Sequence, residues 1–167
     1  LYFLATPIKA LYHQMAHLAI LNNTQALMLH PNSWIGHSQK FILHNDPNRN
    51  LIGMFSGIKK VTLYPPNLPI QTMYPTLLEY CKMSLDSQVN PYELNLDKFP
   101  LFKDAIKASV TFYIHPGEVL YIPPLWWHAC ESEYFNVGFN YWFYCNKKHS
   151  KAARRLSTNY AHLIKNL

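Results

Sequence analysis

Glycine, cysteine and acidic residues are all scarce in this chain of 167 residues, which has five Gly, three Cys and nine Asp plus Glu. With so little glycine and 15% aromatic residues, the sequence is neither disordered nor low-complexity, and a β-rich globular protein is expected. The cysteines (Cys81, Cys130 and Cys145) are odd in number and form no CxxC pair and no zinc spacing. A reducing, intracellular compartment, cytoplasm or nucleus, is therefore the simpler reading. No apolar run approaches the roughly 18–20 residues that span a bilayer, and no signal peptide is visible, so no membrane partner is expected. The sequence opens on Leu1-Tyr2-Phe3-Leu4 without Met, and it reads as a piece that lacks N-terminal elements.

Apolar residues make up 49% of the chain, enough for one domain with a real core. The formal net charge is +6. That balance fits an anionic partner such as RNA, and it fits a soluble basic protein almost as well. The basic residues gather at Lys147, Lys148, Lys151, Arg154 and Arg155. Such a run is usually a solvated helix face.

In chain order, Leu1 to Leu4 reads as a strand, and Thr6-Pro7 opens a helix that ends near Asn22-Asn23. Strands are expected at Ala26 to Leu29, Ser33 to Ile35, Phe41 to His44, Leu51 to Phe55 and Lys59 to Tyr64, the last stopped by Pro65-Pro66. The last two look like a hairpin that places Lys59 and His44 in neighbouring strands. Asn67 to Ser109 reads as an insertion with helices at Tyr74 to Met83 and Phe102 to Ala108. Strands resume at Val110 to Ile114, Val119 to Ile122, Trp126 to Glu131 and Asn136 to Tyr144. Two strand blocks around an insertion predict a mainly β jelly roll over residues 1–147 with flanking helices. Residues 148–167 are expected to form a basic amphipathic C-terminal helix, whose apolar stripe (Ala153, Leu156, Tyr160, Leu163, Ile164, Leu167) can pack on the barrel or on a second subunit; a homodimer through it is an expectation.

The chemistry centres on His44-Asn45-Asp46 and on His128 in Pro123-Pro124-Leu125-Trp126-Trp127-His128. Residues two apart on a strand share a face, so His44 and Asp46 can meet one ion, and His128 sits in an apolar strand where its imidazole needs a partner. Two His and one carboxylate form the facial triad of Fe(II) oxygenases. The plainer reading of His128 is a buried ring satisfied by a backbone carbonyl. Lys59 could meet a dicarboxylate cosubstrate. Lys60 points to the opposite face, and periodicity does not say which of the two lines the cavity.

Taken together, His44-Asn45-Asp46, Asn50, Gly57-Ile58-Lys59, Tyr64-Pro65-Pro66, Ser87-Gln88-Val89-Asn90, Lys98-Phe99-Pro100-Leu101-Phe102 and the Gly117-to-His128 run ending in Asn140-Tyr141-Trp142 resemble the core of the JmjC (cupin-like) hydroxylases. These are 2-oxoglutarate- and Fe(II)-dependent oxygenases with a double-stranded β-helix. The resemblance implies that His44, Asp46 and His128 are the iron ligands and that Lys59 binds the distal carboxylate of 2-oxoglutarate. Tyr2 and Asn50 resemble positions lining the cosubstrate site, and Asn140 a pocket Asn near the metal. Family members often carry Thr or Ser three residues before the first His as a hydroxyl contact to 2-oxoglutarate; this chain departs from that with Phe41.

The resemblance implies hydroxylation of a protein side chain or an RNA base, tRNA included, using O2 and releasing succinate and CO2. The zinc-binding Cys clusters of the larger histone demethylases are missing, so hydroxylation is expected rather than demethylation. Two other classes fit parts of the pattern: a non-oxygenase metal-binding cupin such as an isomerase or sugar-binding protein, and an inactive JmjC-like module that binds nucleic acid through the basic tail.

Overall fold

The computed structural model describes residues 27–28, 32–77 and 85–144. Nine strands alternate with little else: β1 (Leu27–Met28), β2 (Asn32–Asn45), β3 (Arg49–Ser56), β4 (Lys59–Tyr64), β5 (Pro75–Leu77), β6 (Leu85–Ser87), β7 (Val110–Ile114), β8 (Val119–Ile122) and β9 (Trp127–Tyr144). One helix, α1 (Phe102–Ala108), and a 3-10 turn at Ile70–Met73 complete the described elements. The protein is mainly β, as expected, and every strand pairing is antiparallel.

The architecture reduces to four long ribbons: β2, β9, β3 with β4, and β7 with β8. β9, rich in Trp, Tyr and Phe, which suit a pleated half-buried surface, is flanked along its whole length. On one edge lies β2, from Asn32↔Asn140 to Asn45↔Trp127. On the other edge β3 and β4 follow end to end, from Arg49↔Phe143 to Ser56↔Val137 and then from Lys60↔Glu131 to Tyr64↔Trp127. Outside these, β8 continues β7 in the same manner, with Asn50↔Ile122 on β3 and Leu63↔Val110 on β4. Left-handed residues mark the bends: Ser38 in β2 (φ 50°), Gly57 between β3 and β4 (φ 76°) and Gly117 between β7 and β8 (φ 87°). Folding the ribbons along this line brings two sheet halves face to face, which is the jelly roll.

Several expectations are corrected by this geometry. Ser33 to Ile35 and Phe41 to His44 are parts of the single strand β2, because the polar stretch between them is a bulged continuation, with the ladder shifting between His37 and Gln39. Trp126 to Glu131 and Asn136 to Tyr144 merge likewise into β9, which starts at Trp127. β3 and β4 do not form a hairpin: they share one edge of β9, so Lys59 and His44 lie on strands to either side of β9 rather than on neighbours. The described part of the expected helix from Tyr74 is strand β5. Pro75 disfavours a right-handed helical Tyr74, whose φ is 43°. α1 lies where expected. The N-terminal strand and helix, residues 78–84, the tail helix with its dimer contact and the division at residue 147 lie outside the described residues.

Two cores form. Ile52, Met54, Val61, Leu63, Ile114, Ile122 and Cys130 pack between the sheet halves. Leu43, Tyr64, Trp127 and Ala129 face the other way and are covered by Met73, Val89, Phe99, Phe102 and Ala105 from the insertion. Among the described residues no helix is long and apolar enough to cross a membrane.

Gly57 combines a left-handed φ with a close approach: a Cβ there would lie 2.7 Å from the Phe135 carbonyl oxygen, whereas one at Gly117 would meet nothing within 4 Å. Gly117→Ala is expected to cost about 1–2 kcal/mol, the left-handed penalty alone. Gly57→Ala should cost more, and urea unfolding of the two variants measures the difference.

Candidate metal centre

The candidate ligands come from the facing ends of β2 and β9. His44 and His128 are direct cross-strand partners, so their side chains emerge on one face, with ring centroids 4.2 Å apart. Asp46 follows β2, where its carbonyl oxygen accepts the Leu125 N–H at 2.7 Å. The Asp46 Oδ2 atom lies 3.8 Å from His44 Nε2 and 3.9 Å from His128 Nε2. One ligand atom from each residue falls within a group 4.8 Å across.

The backbone assigns the tautomers. His44 Nδ1 lies 2.8 Å from the Ile42 carbonyl oxygen and His128 Nδ1 lies 3.0 Å from that of Trp126. A carbonyl only accepts, so each Nδ1 carries a proton and each Nε2 is the ring nitrogen left facing Asp46. The carbonyl-satisfied reading of His128 and the ligand reading are thus both met, one at each ring nitrogen. Burial, and the His44 ring beside it, hold the His128 imidazole down to about 4. It is neutral at physiological pH, the form that coordinates a cation. Two imidazoles and a carboxylate suit a divalent transition metal, so the residues present fit such an ion.

Asn45, between the ligands, projects to the other face, is buried, and accepts the Leu85 N–H on its Oδ1 at 3.2 Å. It ties β6 to the ligand strand. The ladder between β2 and β9 is irregular between Phe41 and His44. There the Tyr92 hydroxyl, from the insertion, lies 2.8 Å from the Phe41 carbonyl oxygen and 2.7 Å from that of Cys130, bridging the two strands.

The three residues border a cavity of about 260 Å³ that also takes in Lys59, Asn50 and Asn140. Lys59 is only 3% exposed, and burial lowers its ammonium below the usual lysine range. Its Nζ stands 5.3 Å from the centre of the Phe41 ring, and among the described residues no carboxylate pairs with it. Lys60 instead points outward and bonds Glu131 at 2.6 Å. The choice between the two lysines is made by which face of β4 turns inward. Asn140 Nδ2 donates to Asn50 Oδ1 at 3.1 Å, and Trp34 Nε1 donates to Asn140 Oδ1 at 2.7 Å. Tyr2 lies outside the described residues.

Trp34, Asp86, Cys130 and Trp142 also line the cavity, and the sequence assigned none of them a role there. Strand parity with His128 would have found Cys130. No local signal marks Asp86, which arrives by pairing of β6 with β2 opposite His44. Burial raises the Asp86 carboxyl above its usual range, with His44 opposing and Asp46 adding to the shift. The Cys130 thiol is pushed up by burial to about 11 and stays protonated.

Residues 5–149 match the family model described as a cupin-like domain. The chain belongs to the cupin-like domain family. The chain is similar to the lysine-specific demethylase JMJ31 of Arabidopsis thaliana, 31% identical over 116 residues, which make up 69% of this chain and 21% of that protein. The human HSPB1-associated protein 1 is 35% identical over 101 residues, 60% of this chain and 20% of that protein. Jumonji C domain-containing protein 5 of Drosophila melanogaster is 30% identical over 104 residues, 60% of this chain and 24% of that protein. The matched region thus spans between a fifth and a quarter of these relatives. The JmjC resemblance seen in the motifs agrees with this membership of the cupin-like family.

Titration with Mn(II) or Co(II) is expected to show one tight site. His44→Ala, Asp46→Ala and His128→Ala should each weaken it by more than about 100-fold, since loss of an outer partner of a ligand alone costs 10–100-fold. Isothermal calorimetry checks this directly.

Proposed function

We propose that this chain is the catalytic domain of an Fe(II)- and 2-oxoglutarate-dependent oxygenase that hydroxylates a protein side chain or an RNA base. The observation that carries the reading is Lys59, buried with no carboxylate partner among the described residues, in the same cavity as the His44, Asp46 and His128 group. A cation removed from water without a counter-charge is costly. An anionic ligand beside the metal site would offset that cost.

In this reading His44 and His128 would hold the iron through Nε2 and Asp46 through a carboxylate oxygen. When bound, the iron supplies the oxidative chemistry: 2-oxoglutarate and O2 become succinate and CO2, and one oxygen atom enters a C–H bond of the substrate. The chain's own residues position and shield. Lys59 receives the distal carboxylate by a charge-assisted bond. Asn140, oriented by Trp34 and Asn50, offers an amide to the cavity beside the metal. Phe41 replaces the hydroxyl contact of relatives with a ring against the Lys59 ammonium, so the distal carboxylate depends on Lys59 alone on that side. The apolar walls limit water around the site.

Relatives bear the name demethylase, and hydroxylation is also the first event when an N-methyl group is removed. A screen of peptides and tRNA with iron-loaded protein separates the outcomes: a product heavier by one oxygen atom marks hydroxylation, formaldehyde marks demethylation. Succinate release is expected, with its loss in Asp46→Ala. Lys59→Ala should weaken 2-oxoglutarate binding by about 10- to 100-fold, the range for a hydrogen bond to a charged group. No consumption of 2-oxoglutarate with any substrate supplied would sink the proposal.

A further inference from the structure

The outer face of the bent sheet holds a second concavity, about 410 Å³, that the metal centre does not use. Strand alternation builds it. Lys59 and Cys130 turn inward, so Lys60 and Glu131 turn outward. The register then sets Tyr113 of β7, Lys60 of β4 and Glu131 of β9 in one row across three strands. Ile58, Glu133 and Tyr134 close the concavity, and Ser132 borders it.

Its charges favour one kind of guest. The cation in the groove is already committed: Lys60 Nζ lies 2.6 Å from Glu131 Oε1. Glu133 adds a second carboxylate, which acts on Lys60 through space but makes no ion pair among the described residues. Ser132 is 4% exposed, and its hydroxyl has no hydrogen-bond partner among the described residues. Tyr113 and Tyr134 stand 60% and 74% exposed, and an aromatic ring can take a cation on its face. Acceptors and π faces are thus available, and an uncommitted positive charge for an anion is not. A small-molecule site would enclose most of its ligand. This groove is open and rimmed by prominent tyrosines, which is how a protein partner anchors a long side chain.

We infer that the groove receives a lysine or arginine side chain of a polypeptide partner, its cationic head held by Glu133 and the two tyrosine rings. The guest binds on the face of the sheet opposite the metal centre, so the inference does not depend on the reaction catalysed there.

The test titrates the folded protein with two blocked pentapeptides, Gly-Gly-Lys-Gly-Gly and the same peptide with norleucine for lysine, followed by NMR shifts of the Tyr113 and Tyr134 rings. The lysine peptide is expected to bind about tenfold more tightly, the scale of a partly desolvated cation–π contact. Glu133→Gln and Tyr134→Ala, both at exposed positions, should each remove most of that preference while circular dichroism and Mn(II) affinity stay as in the parent. Equal binding of the two peptides, no binding of either, or an unchanged preference in Glu133→Gln would overturn the inference. Methylammonium binding as tightly as the lysine peptide would also overturn it, because the occupant would then be a small organic cation.

Discussion

The antiparallel pairing of His44 with His128 is the contact on which the rest of the structure depends. Only when these two residues stand opposite each other do both imidazoles emerge on one face with Asp46 beside them. A slip of one residue would turn one ring to the other side of the sheet. The neighbouring features act on that register. The bend at Ser38 absorbs the shift in β2 before the ligand region is reached, and the Tyr92 hydroxyl bridges the two strands where their ladder is irregular. Leu125, itself in a left-handed conformation, donates its N–H to Asp46 just before β9 begins.

The insertion between β4 and β7 therefore belongs to the site as much as to the core. Phe99, Phe102 and Ala105 cover the outer side of the sheet whose inner side carries the ligands. Tyr92 reaches through to the strand carbonyls, and Leu85 of β6 is fastened to Asn45 between the ligand residues. The cavity is thus held on rigid strands and braced from behind, so its polar groups need little rearrangement to meet a ligand.

Charge is distributed by the same alternation. Lys59 and Lys60 are consecutive, yet one is buried with no carboxylate partner among the described residues and the other is paired at the surface. The inner lysine stores an unfavourable desolvation that a bound anion would relieve. The outer one, neutralised by Glu131, leaves Glu133 and the tyrosines to define the opposite face.

Much of this was legible along the chain. The spacing of His44 and Asp46, the apolar setting of His128 and the alternation of β4 are local properties, as is helix α1, and they sufficed for the fold class and for the ligand set as an expectation. The hairpin, the split strands and the helix from Tyr74 were misplaced, because a bulge at Ser38, a corner at Gly57 and a shared edge on β9 leave little trace in hydrophobic period. Trp34, Asp86 and Tyr92 reach the site only through pairings between residues distant in sequence. Sequence alone determined which side chains could hold a cation and on which positions they alternate. The tertiary structure decided which lysine turned inward, which ring nitrogens were left open and which strands became neighbours, because those depend on how four ribbons bend and pair in space.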